Sequence, residues 1–221
     1  MTLSHKSTPA DPWTAYNYLM RTILHLDLDA FFCAVEEWAD DSLKGIPFAV
    51  GGRPEERGVV SSCSYAARAL GIHSAMPMRL ALQRCPQLRV VSPNHRHYST
   101  LSEDVMQRLQ GLSPLVEPIS IDEAFVDISD IPEPPEQTAR QLQQKIWDEL
   151  HLPCSIGVAA NKLVAKIATD VGKKASRGPD YPRAITIVAA GEEAEFLAPL
   201  PASMLWGVGK KTEASLAELG I

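Results

Sequence analysis

No stretch of this chain is apolar for the roughly 18–20 residues that a membrane span needs, and its N-terminus carries no signal-peptide core. Those two absences argue against transmembrane and secreted classes and predict a cytoplasmic protein. No CxxC pair is present either; Cys33, Cys63, Cys85 and Cys154 lie far apart inside apolar runs. Such spacing suits reduced, buried thiols rather than a disulfide framework or a zinc knuckle. Repeats and low-complexity tracts are missing. An excess of positive charge is missing too: 21 Lys and Arg face 27 Asp and Glu, a net of −6 that argues against a generic nucleic-acid coat protein. What remains, 45% hydrophobic and 22% charged in 221 residues, describes a folded chain of one large domain or two small ones.

The mean charge conceals alternating blocks. Residues 53–100 hold seven Arg against two Glu, a local +5. Residues 117–150 hold nine acidic groups against Arg140 and Lys145, a local −7, and residues 161–178 return to +4. Solvated surface charge accounts for such blocks equally well, but an acidic centre between basic walls is what a polyanion and a divalent cation jointly need.

Hydrophobic periodicity places the elements. Thr22 to Asp29 reads as a strand, Ala30 to Trp38 as a short helix, and Pro47 to Val50 and Gly58 to Cys63 as strands. Tyr65 to Leu70 is helical and closed by Gly71; Pro77 opens a helix that Pro86 ends. After a short strand at Leu88–Val91 and a helix at Tyr98–Leu109, strands at Leu115–Ile119 and Glu123–Ile128 flank Ser120–Asp122. Ala139, Leu142, Ile146 and Leu150 mark an amphipathic helix, Ser155–Ala159 a strand, Leu163–Val171 a helix and Ala184–Val188 a strand. From Ala202 the tail reads as short helices around Gly207-Val-Gly209. Adjacent strands within an otherwise alternating order favour a split βαβ sheet of the ferredoxin type, in an α+β fold, over a doubly wound one.

Carboxylates at the predicted strand ends carry the chemistry. Asp27 and Asp29 sit two apart on an apolar strand, so they share a face, and Asp122-Glu123 sits where an apolar hairpin turns. Acidic groups in such surroundings resist desolvation unless a cation compensates, and hard oxygen donors from two segments suit Mg²⁺. Each is ordinary alone: a strand-end aspartate, an exposed turn. Tyr65 and Arg68 are three apart on a helix and share a face, as do Lys162, Lys166 and Lys173 if their helix runs far enough. Arg68 offers fork-like bonds to phosphate, whereas the lysines also read as a solvated stripe.

The stretches Asp27-Leu-Asp-Ala-Phe-Phe-Cys-Ala-Val-Glu-Glu37, Ser64-Tyr-Ala-Ala-Arg68, Ser120-Ile-Asp-Glu-Ala-Phe125 and Gly157-Val-Ala-Ala-Asn-Lys-Leu-Val-Ala-Lys-Ile-Ala168 together resemble the successive motifs of the Y-family DNA polymerases, of the bacterial DNA polymerase IV type. The resemblance covers residues 22–221 in order. It implies a ferredoxin-like palm sheet at 21–44 and 97–187, a small inserted fingers subdomain at 45–96, and a helical thumb with a helix-hairpin-helix at 188–221; residues 1–20, with no sustained period and with Pro9 and Pro12, read as a flexible extension. It further implies low-fidelity lesion-bypass synthesis from dNTP on primer-template DNA with two Mg²⁺ ions, Mn²⁺ being a possible substitute.

Carried over position by position, Asp27, Asp122 and Glu123 match the metal-binding carboxylates, with the Leu28 carbonyl as a further ligand. Phe32 matches the aromatic gate that excludes a ribose 2′-hydroxyl, beside Phe31. Tyr65, Arg68 and Lys173 match triphosphate-binding positions, with Ser62 contributing a hydroxyl. Gly207, Gly209 and Lys210 match the hairpin that meets DNA phosphates.

Two features depart from the pattern. The loop at 174–183 is longer than the family's usual turn, and the chain stops at Ile221, where relatives ordinarily continue into a little-finger domain. Without that region the chain is expected to hold DNA weakly and extend primers poorly, with sliding-clamp contacts reserved to the further domain; a monomer is expected. Two other functions stay open. A nucleotidyl cyclase uses a similar sheet, although Phe32 and the hairpin disfavour it. A non-catalytic repair accessory would be marked by a lost metal carboxylate, and all three are present.

Overall fold

The computed structural model describes residues 21–176, 178 and 180–220. The extension at 1–20 lies outside the described residues. The central five-stranded sheet runs β5 (Val116–Pro118), β6 (Glu123–Asp127), β1 (Ile23–Leu28), β7 (Cys154–Ala159), β8 (Ile185–Ile187). β1 is antiparallel to both β6 and β7, and β5 is antiparallel to β6. This is the ferredoxin-type order expected from the sequence, with β8 added parallel to β7 at one edge.

Both faces of β1 are covered, so it has no solvent-facing side. Leu24, Leu26 and Leu28 join a core with α1 (Phe31–Ala39), α4 (His95–Leu112) and α5 (Pro135–Leu150), through residues such as Val35, Leu109 and Ile146. The alternate residues, Ile23, His25 and Asp27, face α6 (Lys162–Ala175), whose Val164, Ala165 and Ala168 pack with Ile23 and Phe125. Helices on both sides leave β1 buried on both faces. The helix predicted from Tyr98 to Leu109 extends three residues further at each end, its start capped by the Asn94 side chain accepting from the His97 N–H.

Inserted between α1 and α4, a three-stranded sheet orders β3 (Val60–Cys63), β2 (Phe48–Gly51) and β4 (Arg89–Val91). With α2 (Tyr65–Ala69) and α3 (Met78–Arg84) it closes a separate small core around Ile72, Met76 and Met78. Ser64 caps α2 by accepting from the Ala67 N–H, and Gly71 follows with φ +78°, the left-handed position expected after that helix. The tail adds α7 (Glu193–Leu197), which the sequence reading did not contain, then a 3₁₀ turn at Ala202–Met204 and α8 (Lys210–Glu218).

Candidate active site

Strand register brings the two acidic segments together. Asp27 at the end of β1 pairs directly with Glu123 at the start of β6, and the Leu28 N–H donates to the Asp122 carbonyl at 3.0 Å. Directly opposed residues of antiparallel strands project to one face, so Asp27 and Glu123 share the side covered by α6. Beside them opens a pocket of about 260 Å³, bounded by Asp27, Leu28 and Asp122. Phe31, Phe32, Ser62, Arg68 and Lys173 also line it, with Ala30, Ser61 and Ser74. Nine of the residues singled out in the sequence thus meet here, counting Glu123 across from Asp27.

The turn between β1 and α1 makes this possible. Ala30 adopts left-handed backbone (φ 45°, ψ 47°), uncommon for a residue with a Cβ, and swings the chain into the helix within one residue. Phe31 is thereby driven into the core, while Phe32 stays half-buried at the pocket, stacked on Tyr98 at 4.3 Å and 14°. Tyr98 is itself held by donating its hydroxyl to Glu36 at 2.5 Å. The Phe32 ring is therefore packed against an anchored neighbour at the rim of the pocket.

Electrostatics at the site are those of crowded carboxylates with borrowed cations. Burial pushes the Asp27 carboxyl up to about 6 against the pull of Lys173, and the charges of Glu123 and Asp122 push the same way. Glu123 goes down to about 2, chiefly through its bond from His25 and then from Lys166, against partial burial. Lys173 donates to Asp27 and lies 3.2 Å from Asp29; Lys166 lies 2.5 Å from Glu123. Among the described residues, no three or more His, Cys, Asp or Glu close into a cage for a metal. The donor set is open and all oxygen, with lysine ammoniums against the carboxylates. That fits a hard divalent cation completed by water and phosphate oxygens better than an all-protein site.

Other expected residues lie elsewhere. Asp29 is fully buried and does not line the pocket, accepting from Ser155 Oγ at 2.9 and 3.1 Å and from the Arg183 N–H at 3.0 Å, with Lys173 3.2 Å away. It ties the end of the 174–183 loop to the sheet; Arg177 and Pro179 of that loop lie outside the described residues. Tyr65 does not line the pocket. It borders a neighbouring cleft of about 420 Å³, edge-on to Tyr181 and beneath the Arg68 guanidinium. Lys162 pairs with the exposed Glu117. Gly207 takes φ +89° and Gly209 precedes α8, whose first residue is the exposed Lys210, so all three sit in the tail rather than at the pocket.

Two residues that the sequence reading missed stand behind Glu123. His25 is fully buried, with Nε2 3.3 Å from Glu123 Oε2 and Nδ1 2.9 Å from Thr169 Oγ1. The signal was available: His25 is two residues before Asp27, hence on the same face of the same strand.

The model of the impB/mucB/samB family matches residues 26–170, and that of the IMS family HHH motif matches residues 190–221. Among curated proteins, DNA polymerase IV of Ralstonia nicotianae is 43% identical over 204 residues, covering 91% of this chain and 55% of the relative. DNA polymerase IV of Dehalococcoides mccartyi is 44% identical over 205 residues, covering 91% and 50%. The crystal structure of DinB from Sulfolobus solfataricus superposes with a TM-score of 0.82 at 30% identity, covering 90% of this chain and 57% of that one. An insertion ternary complex of Dbh DNA polymerase gives 0.81 at 30%, covering 90% and 58%. The chain spans about half the length of the curated relatives it matches. With the sheet order, the motif order and both family models in agreement, the chain belongs to the impB/mucB/samB family, within the Y-family polymerases.

Proposed function

We propose that this chain carries the catalytic part of a template-directed DNA polymerase of the lesion-bypass kind. It works as a monomer in the cytoplasm, adding deoxynucleotides to a primer. In this reading residues 21–44 and 97–187 form the palm, 45–96 the fingers and 188–221 the thumb. The observation that carries it is the meeting of Asp27, Asp122 and Glu123 beside a pocket walled by Phe32, Arg68 and Lys173.

Asp27, Asp122, Glu123 and the Leu28 carbonyl would hold two Mg²⁺ ions, whose chemistry is to acidify the primer hydroxyl and offset charge on the leaving pyrophosphate. The primer 3′-oxygen forms a bond to the α-phosphorus, the bond to the pyrophosphate oxygen breaks, and the hydroxyl proton is released. Arg68 and Lys173 orient the triphosphate, Ser62 adds a hydroxyl, and Tyr65 supports the Arg68 guanidinium through its ring. The Phe32 ring fills the volume that a 2′-hydroxyl would enter. In the tail, Gly207 and Gly209 present backbone N–H groups, and Lys210 a charge, to DNA phosphates without reading sequence.

Single-nucleotide primer extension at low salt tests the proposal, comparing the native chain with Asp122→Ala and Glu123→Ala. Loss of incorporation by about 100-fold or more is expected, as for removal of groups that stabilise transition-state charge. Equal incorporation by the native chain and both variants would refute it.

A further inference from the structure

We infer that His25 is a positioning residue that holds Glu123 by donating from Nε2 to Oε2, with Thr169 fixing the ring in the tautomer that can donate. The inference rests on the proposed reading of Glu123 as a metal ligand. His25 is fully buried, tilted against the Phe125 ring at 4.9 Å, and has polar neighbours at both ring nitrogens. An ionised carboxylate only accepts hydrogen bonds, so the nitrogen facing Glu123 must carry a proton. In the neutral ring Nδ1 is then an acceptor, and the Thr169 hydroxyl at 2.9 Å gives it its one proton in preference to the Ala165 and His25 carbonyl oxygens, which lie farther off at 3.2 and 3.3 Å.

Both bonds fall on parts that α6 brings to the sheet. Thr169 and Lys166 are three residues apart on that helix, and Lys166 reaches the same Glu123 oxygen at 2.5 Å. His25 and Lys166 therefore occupy Oε2 together, one from the strand and one from the helix, and Oε1 is left to face a cation. A carboxylate pinned through one oxygen keeps its other oxygen in one direction, which is how outer partners of metal ligands raise affinity.

Two readouts test this without relying on turnover. In chain labelled with ¹⁵N-histidine, long-range proton–nitrogen spectra report which ring nitrogen carries the proton, the His25 signals being those lost in His25→Gln. Mn²⁺ titration followed by electron paramagnetic resonance, with dNTP present, reports metal affinity. The native ring is expected as the Nε2–H tautomer. Thr169→Val, which keeps the shape but loses the hydroxyl, should leave the ring free to turn and weaken Mn²⁺ about 10-fold. His25→Gln, whose amide can donate from a similar place, should bind within about 3-fold of native, and His25→Phe should lose about 10-fold or more. An Nδ1–H tautomer in the native chain, or native Mn²⁺ affinity in both Thr169→Val and His25→Phe, overturns the role of His25 and leaves the metal reading standing. A native chain that binds no Mn²⁺ in the presence of dNTP overturns both.

Discussion

Adding one methyl group at Gly157 should damage fold and site together. Gly157 lies on β7 opposite His25, at the point where α6 crosses the sheet. A Cβ built there falls 2.1 Å from the Ala165 carbonyl oxygen, 2.6 Å from the Thr169 nitrogen and 2.7 Å from Thr169 Oγ1. Two of those three atoms are helix backbone, so no side-chain rotation relieves the clash; α6 has to move off the sheet. Overpacking of this kind costs about 1–3 kcal/mol, and a contact with backbone belongs at the upper end. For a chain of this size each kcal/mol lowers Tm by about 2–4 °C, so Gly157→Ala should melt about 6–12 °C below native. Thermal unfolding followed by circular dichroism measures that shift. The same displacement carries Thr169, Lys166 and Lys173 away from His25, Glu123 and Asp27, so Mn²⁺ affinity should fall in the folded variant. A Tm within about 2 °C of native would refute the packing argument, since the clash admits no cheap relaxation.

The remaining expectations concern single side chains. Phe32→Ala should raise ribonucleotide incorporation relative to deoxynucleotide in a primer-extension competition; unchanged sugar discrimination would remove Phe32 from the gate. Lys173→Ala should raise the KM for dNTP about 10-fold or more, the loss of a charge-assisted bond worth about 1.5–3 kcal/mol. Lys162→Ala, whose partner is the exposed Glu117, should leave that KM unchanged, and equal effects from the two would deny Lys173 its triphosphate role. Finally, all four cysteines are buried and free, and burial pushes the Cys33 thiol up to about 12. A thiol reagent should label none in the native state and all four in denaturant; rapid native labelling would contradict the core described above.

How much of this was legible in the sequence follows from how each contact is made. Asp27 and Glu123 were readable because a strand's two-residue period and a hairpin's turn are local properties, and sheet register then carries them to one face. The topology followed from the same periods, since an adjacent strand pair inside a βαβ order leaves few arrangements. Helix α7 was missed because its five residues, Glu-Ala-Glu-Phe-Leu, are too short to show a helical period. Tyr65 was grouped with Arg68 because helical spacing does put them in contact; spacing does not say which of two adjoining clefts each borders.

His25 shows the deeper limit. Its place beside Asp27 was implied by the strand, but its purpose depends on Thr169, 144 residues further on, and on how close α6 comes to β7. That distance is set at Gly157, where the absence of a side chain lets the helix backbone settle onto the strand. The acidic cluster could be read from its own residues. The groups that compensate it, His25 aside, arrive on a helix whose height above the sheet is decided by a single missing methyl. Sequence patterns thus gave the charged groups of the site, while their pairing is a consequence of packing.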